Sequence, residues 1–296
     1  MKVLTLMLRL LTSVTGSEMS TPPSPRLLVP HSRVAVVVDP TLPDNGIPDV
    51  AGVIRVTQAL YATYRDEADF VFLVANNKTR PEGVPFGEYT PVRNDTLGLE
   101  VFDDSAFFGA DRTAQGVVRL AYRRAVVSRP SLHELAHRWG NWMVDGGEPT
   151  HFGFSSAGSQ LGGFDARTLE SLGGGQYRAA NGLPGESTFG LVANRGNRAP
   201  FSLLELYLMG LVDPGDVPDI IVAQGARWVD ETSGAFAASA VQTVSLASMI
   251  ERVGPRVPNV KSSQKVFRVL GVVLSKTPPT SEQVAEVEAG LAGEHS

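Results

Sequence analysis

The stretch that most restricts how this chain can fold is Pro130-Ser131-Leu132-His133-Glu134-Leu135-Ala136-His137-Arg138-Trp139-Gly140. Pro130 disfavours helical backbone at Arg129 and so gives a helix a sharp start. On that helix His133 and His137 stand one turn apart on one face, about 6 Å between Cβ atoms, so both imidazoles reach one small cation. Glu134 follows His133 and points roughly 100° around the helix, toward a water on the cation rather than the cation itself. Leu132, Leu135, Trp139 and Trp142 form an apolar stripe that anchors the helix in a core. Gly140 lies near the histidine side. A mid-helix glycine costs about 1 kcal/mol relative to alanine, so a packing reason is expected: a side chain there would obstruct a returning segment.

The chain contains no cysteine, which leaves His, Asp and Glu to hold any metal. The nearest further histidine is His151, reached through Asp145-Gly146-Gly147-Glu148-Pro149-Thr150. Glycines can end the helix there and let the backbone double back. His151 is therefore the expected third ligand, with Glu148, Asp165 and Glu170 as competitors. A zinc ion held by three protein ligands keeps a fourth position for water and lowers the pKa of that water to about 7. Glu134 can then take its proton as it attacks a carbonyl, which points to metal-assisted hydrolysis of an amide bond. A metal-free account uses the same residues: Ser131-x-x-Glu134 is a capping box, and His133 and His137 become buried neutral side chains. That account leaves His151 unexplained. His31 and His295 fall in linker and tail and read as solvated.

Through His133, Glu134 and His137 the chain resembles the zincin metallopeptidases, and Gly140 matches the glycine of the metzincin pattern H-E-x-x-H-x-x-G-x-x-H. It departs at Met143, where that pattern has its third ligand, and a thermolysin-like glutamate would fall near Ser156. Residues 131–164 and 201–211 also look like secreted bacterial, peptidase-like proteins of the zincin type. The resemblance implies an α+β zincin-like fold, with a mixed twisted sheet and the active-site helix in an N-terminal subdomain and a mostly helical and loop C-terminal subdomain. It implies Zn²⁺ on His133 and His137, to which the nearby His151 is added as the expected third ligand, Glu134 as general base and acid, and a protein or peptide substrate. Comparison with the methionine turn under a metzincin zinc makes Met209, Tyr207 and Glu205 candidates for supporting the ligands or an oxyanion. Core packing accounts for Leu203, Leu204, Leu206, Leu208 and Met209 without that role. A binding or adhesion module that has lost catalysis on the same scaffold is the alternative function.

With 296 residues and 43% hydrophobic content the chain can bury one large core or two subdomains. The expected division is a leader or linker at 1–30, an N-terminal subdomain at 31–145 and a C-terminal subdomain at 146–296 with the third ligand. A net charge of −5 with dispersed basic residues argues against nucleic acid. Lys2 precedes an apolar run over 3–11 that Arg9 interrupts, an imperfect match to a signal peptide from which an extracytoplasmic location is expected. No run reaches the 18 or so apolar residues of a membrane span.

Along the chain, the closely spaced prolines of 17–30 predict an extended linker. The β-branched run over 33–39 and the apolar run over 70–74 predict buried strands. An amphipathic helix over 49–64, capped by Asp49, joins them, which implies a parallel pair. Shorter strands are expected over 88–93, 97–102 and 116–122. Residues 152–200, rich in glycine, read as loop and short helix. Ser202-x-x-Glu205 is a capping box opening a short buried helix that Gly210 stops. A short helix over 245–253, a strand over 266–274 and a final helix opened by the capping box Thr280-x-x-Gln283 complete the expectation, with Val284, Val287 and Leu291 inward.

Overall fold

The computed structural model describes residues 24–28, 34–128, 130–140 and 150–293. The apolar run broken by Arg9, His31, Trp142, Met143, Glu148 and His295 lie outside the described residues.

The first half of the chain runs β1 (Arg26–Leu28), β2 (Ala35–Val38), α1 (Val50–Tyr61), β3 (Phe70–Ala75), β4 (Gly87–Pro91), β5 (Arg93–Asn94), β6 (Phe102–Asp103), β7 (Gly116–Leu120), α2 (Ala125–Ser128) and α3 (Ser131–Gly140). Asp49 caps α1, its carboxylate accepting from Gly52 N–H at 2.8 Å. The second half runs β8 (Glu170–Gly173), β9 (Gln176–Arg178), α4 (Leu203–Met209), β10 (Ile220–Gln224), β11 (Arg227–Asp230), β12 (Ala235–Ala237), β13 (Ala240–Val244), α5 (Leu246–Val253), β14 (Val269–Ser275) and α6 (Ser281–Ala292). This is a mixed α+β architecture, with six α-helices among the described residues. None of them is long and apolar enough to cross a membrane.

The main sheet has six strands in the order β1-β2-β14-β3-β7-β4. Its four inner strands are parallel, and β1 and β4 run antiparallel at the two edges. Every residue of β2 and β3 is buried, as expected for apolar runs covered on both faces. Side chains alternate: Val36, Val38, Phe70, Phe72, Val74, Val118, Leu120 and Val273 join the core that holds Ala136 and Trp139 of α3. Val37, Val71, Leu73, Val117, Val272 and Leu274 join the core under α1, with Val53, Val56 and Leu60. Trp139 stands edge-on to Phe70, ring centroids 6.0 Å apart, and so docks α3 on the sheet.

Four expectations change. Strands β2 and β3 are parallel, as the intervening helix requires, but β14 lies between them, so the sheet draws on both ends of the chain. Within the stretch read as linker, Arg26–Leu28 is a strand on β2, a pairing that no local pattern announces. The region after α3 is not mostly helix and loop. Among its described residues are seven strands, including the sheet β11-β12-β9-β8 and the pair β10-β13, around a third core of Phe164, Phe189 and Phe236. These strands are three to five residues long apart from β14, and β8 is exposed at all four positions, so apolar alternation is missing. Of the strand expected over 97–102, only Phe102 is in a named strand, while Leu97 forms an isolated bridge with Val257.

Candidate metal centre

Helix α3 begins at Ser131, with Glu134 N–H donating to the Pro130 carbonyl at 2.8 Å. Its first turn is satisfied from a distance. Asn197 Oδ1 accepts from Leu132 N–H at 3.1 Å, while Asn197 Nδ2 donates to Ser131 Oγ at 2.9 Å and to the Val127 carbonyl at 3.1 Å. Ser131 Oγ in turn donates to the Val126 carbonyl at 3.0 Å. Ser131 is therefore the first helical residue rather than the cap, and the reciprocal Ser131–Glu134 box is not formed. Farther along, Arg138 is buried and donates from Nε to Gln115 Oε1 at 3.0 Å and from Nη1 to Asn94 Oδ1 at 2.8 Å, which ties the helix to the start of β7.

His133 and His137 emerge side by side, 7% and 8% exposed, with their Nε2 atoms 3.2 Å apart. Two nitrogens at imidazole–metal distances of 2.0 to 2.1 Å from one ion and 3.2 Å from each other subtend about 100°, close to a tetrahedral angle. His133 Nδ1 lies 2.6 Å from the carbonyl oxygen of Gln160. A carbonyl only accepts, so Nδ1 carries the proton and Nε2 of the neutral ring keeps its lone pair for the ion. Burial, with His151 adding to it, lowers the His133 pKa to about 4, which favours the neutral, ligating form.

His151 completes the set. Its ring stacks against His133 with centroids 5.3 Å apart and meets His137 edge-on at 4.8 Å. The ligand atoms of all three histidines lie within 4.8 Å of one another, close enough for one metal ion. A tetrahedral set needs about 3.3 Å, so closure asks the widest pair to move by about 1.5 Å, within reach of a side-chain rotation of the half-buried His151. The backbone reaches this position through Thr150, whose φ of +68° is uncommon for a β-branched residue. Phe152 N–H then donates to the Leu161 carbonyl at 2.8 Å, and Phe152 and Leu161 pack over Gly140. A Cβ at Gly140 would run into Leu161 Cδ1. That is the packing reason the sequence implied.

Glu134 is 4% exposed and lies against Gly87 of edge strand β4; a Cβ on Gly87 would stand 2.9 Å from Glu134 Cγ and 3.0 Å from Oε1. Beside it, Glu88 and Arg119 pair across β4 and β7 at 2.8 Å. Burial first, and Glu88 second, raise the Glu134 pKa to about 8, with Arg119 opposing. A dication held by the histidines would oppose both and favour the carboxylate.

The other candidate residues stand apart from the three rings. Asp165 pairs with Arg167 and Glu170 with Arg178, both outside the histidine cluster. Tyr207 Oη accepts from Arg256 N–H at 3.4 Å, and Met209 packs in the core with Trp139. Glu205 meets backbone amides: Oε2 accepts from Ser202 N–H at 2.7 Å and Oε1 from Leu161 N–H at 2.9 Å. Sequence reasoning missed Gln160, Asn197 and Arg138. Gln160 contributes a main-chain carbonyl, which any residue has, and Asn197 and Arg138 act across long sequence separations, so none left a local signal.

The comparisons with known proteins add no relative. No protein-family model matches the chain, and neither the curated proteins nor the solved structures give a match.

Proposed function

We propose that this chain is a zinc-dependent endopeptidase of the zincin type. The observation that carries the proposal is the gathering of three imidazoles whose ligand atoms lie within 4.8 Å of one another, with the carboxylate of the residue after the first of them turned to the adjoining sheet edge. Three imidazole ligands suit Zn²⁺ better than the harder Mg²⁺ or Ca²⁺, which prefer oxygen. Bound there, zinc supplies a Lewis acid and brings the pKa of a water to about 7.

The chain's own residues do the rest. The Gln160 carbonyl holds the His133 tautomer, while Trp139, Arg138 and Asn197 fix the helix that carries two ligands. Glu134 takes the proton of the attacking water and returns it to the leaving nitrogen. Strand β4 ends the sheet order beside this carboxylate, so an extended peptide adding to that edge would present its backbone to Glu134, which favours a peptide substrate. Export of the protein, read from its first residues, fits an extracellular substrate.

The deciding experiment is Glu134→Gln on zinc-loaded protein, assayed on an unfolded protein substrate with metal content measured in parallel. We expect metal retained and turnover reduced by at least about 100-fold. A fully active Glu134→Gln protein refutes the mechanism, and bound zinc without turnover in the wild type points to a binding module on the same scaffold.

A further inference from the structure

We infer that Glu205 is a positioning residue for the metal centre, acting on His133 through the single peptide group that joins Gln160 to Leu161. The inference rests on the reading of His133 as a ligand. The two polar ends of that peptide face opposite partners. Its N–H, on Leu161, donates to Glu205 Oε1 at 2.9 Å, and its carbonyl, on Gln160, accepts from His133 Nδ1 at 2.6 Å. Carboxylate, amide and imidazole thus form one line that ends at the Nε2 atom facing His137.

A metal-ligating histidine commonly donates its second ring N–H to a carboxylate or a carbonyl, which fixes the tautomer and raises ligand basicity. Here a carbonyl takes that place and a carboxylate stands directly behind it. Donation of the peptide N–H to an anion polarises the amide and makes its carbonyl a stronger acceptor. Burial raises the Glu205 pKa, while hydrogen bonds from the Ser202, Leu161, Gln160 and Ser159 amides favour the carboxylate, the form whose charge reaches the imidazole without touching it.

Helix capping alone does not explain this geometry. Glu205 Oε2 closes the capping box of α4 on Ser202 N–H, which satisfies the helix end. The second oxygen is aimed instead at the 159–161 turn, accepting from Leu161 N–H and, at 3.5 Å, from Ser159 N–H. The side chain is 1% exposed and its oxygens meet only donors, so a glutamine would present an NH₂ group to one of these N–H groups. The turn has separate supports that a change at Glu205 leaves in place: Gln160 Nε2 donates to the carbonyls of Gly196, at 3.1 Å, and Ala199.

The test compares wild type, Glu205→Gln and Ser202→Ala. Zinc affinity is read by competition with a chromophoric chelator, and the His133 Nδ1–H resonance by ¹⁵N-resolved NMR of the zinc-loaded protein. Ser202→Ala removes the other half of the capping box and the bond from Ser202 Oγ to the Ala157 carbonyl at 2.8 Å, but leaves both bonds of the Gln160–Leu161 peptide intact, so it reports on the surrounding supports without the carboxylate–amide–imidazole path. We expect Glu205→Gln to weaken zinc binding on the order of tenfold and to move the His133 Nδ1–H resonance upfield, with Ser202→Ala at wild-type values in both. If Glu205→Gln does not fold, Glu205→Asp, one methylene short of the turn, takes its place with the same expected direction. Equal affinity and an unmoved resonance in the Glu205 variant, or an equal change in Ser202→Ala, overturns the inference. A wild-type protein that takes up no zinc overturns the metal reading as well; zinc-binding wild type with an unaffected Glu205 variant overturns this inference alone.

Discussion

His133 and His137 come to the centre by one route and His151 by another. The first two share one helix, are nearly fully buried, and have their spacing set by helical geometry. His151 arrives on a returning segment, is half-buried, and depends on Thr150, Phe152, Leu161 and the missing side chain of Gly140 for its position. A helix guarantees the separation of two ligands but not the presence of a third. The third is secured by packing that joins distant parts of the chain.

If this contrast holds, the largest loss comes from the rigid arm. His137→Ala should reduce zinc affinity by more than the 10- to 100-fold typical of supporting residues, while His151→Ala should lose less, since the remaining pair keeps its geometry. Chelator competition on the two variants decides it, and equal losses would dissolve the distinction between the arms. Gly140→Val comes next. Overpacking against Leu161 and Phe152 should lower stability by about 1–3 kcal/mol in urea unfolding and weaken zinc binding through the displaced return segment. A variant with altered stability but unchanged affinity would show that His151 is placed independently of Gly140.

A comparable effect, confined to acid, distinguishes the arms by pH. In metal-free protein the folded His133 pKa is about 4 and the ordinary value is 6.5. The unfolded chain therefore binds more protons between these values, and stability falls as pH drops from about 6.5 toward 4, by ~3 kcal/mol at the limit. Urea midpoints across this range, compared with His133→Asn, should show a shallower slope in the variant. Identical slopes would remove the burial argument for the ligating form.

How far the sequence discloses this molecule follows the same division. The helix, its sharp start after Pro130 and the capping boxes at Ser202 and Thr280 are legible because each depends on neighbours within a few residues, and His151 is legible as the nearest further histidine in a chain without cysteine. Buried strands β2 and β3 are legible from composition alone. The strands between 170 and 244 are not, since short exposed strands with glycine turns carry little apolar period. The supports of the centre are hidden for another reason. Asn197 acts 65 residues away from Leu132, and Gln160 acts through its backbone, 27 residues from His133.

The place of β14 sets when the three histidines can be brought together. The strand at 269–275 fills the gap between β2 and β3, so the platform beneath the metal helix is unfinished until that segment emerges from the ribosome. Until then two apolar strand edges stay open and long-range pairing has yet to occur, a slow and aggregation-exposed stage. Translation that stops before residue 269 yields a polypeptide with every proposed ligand and no completed sheet to hold them. For the proposed peptidase, such timing would keep nascent chains inert while they are still being made.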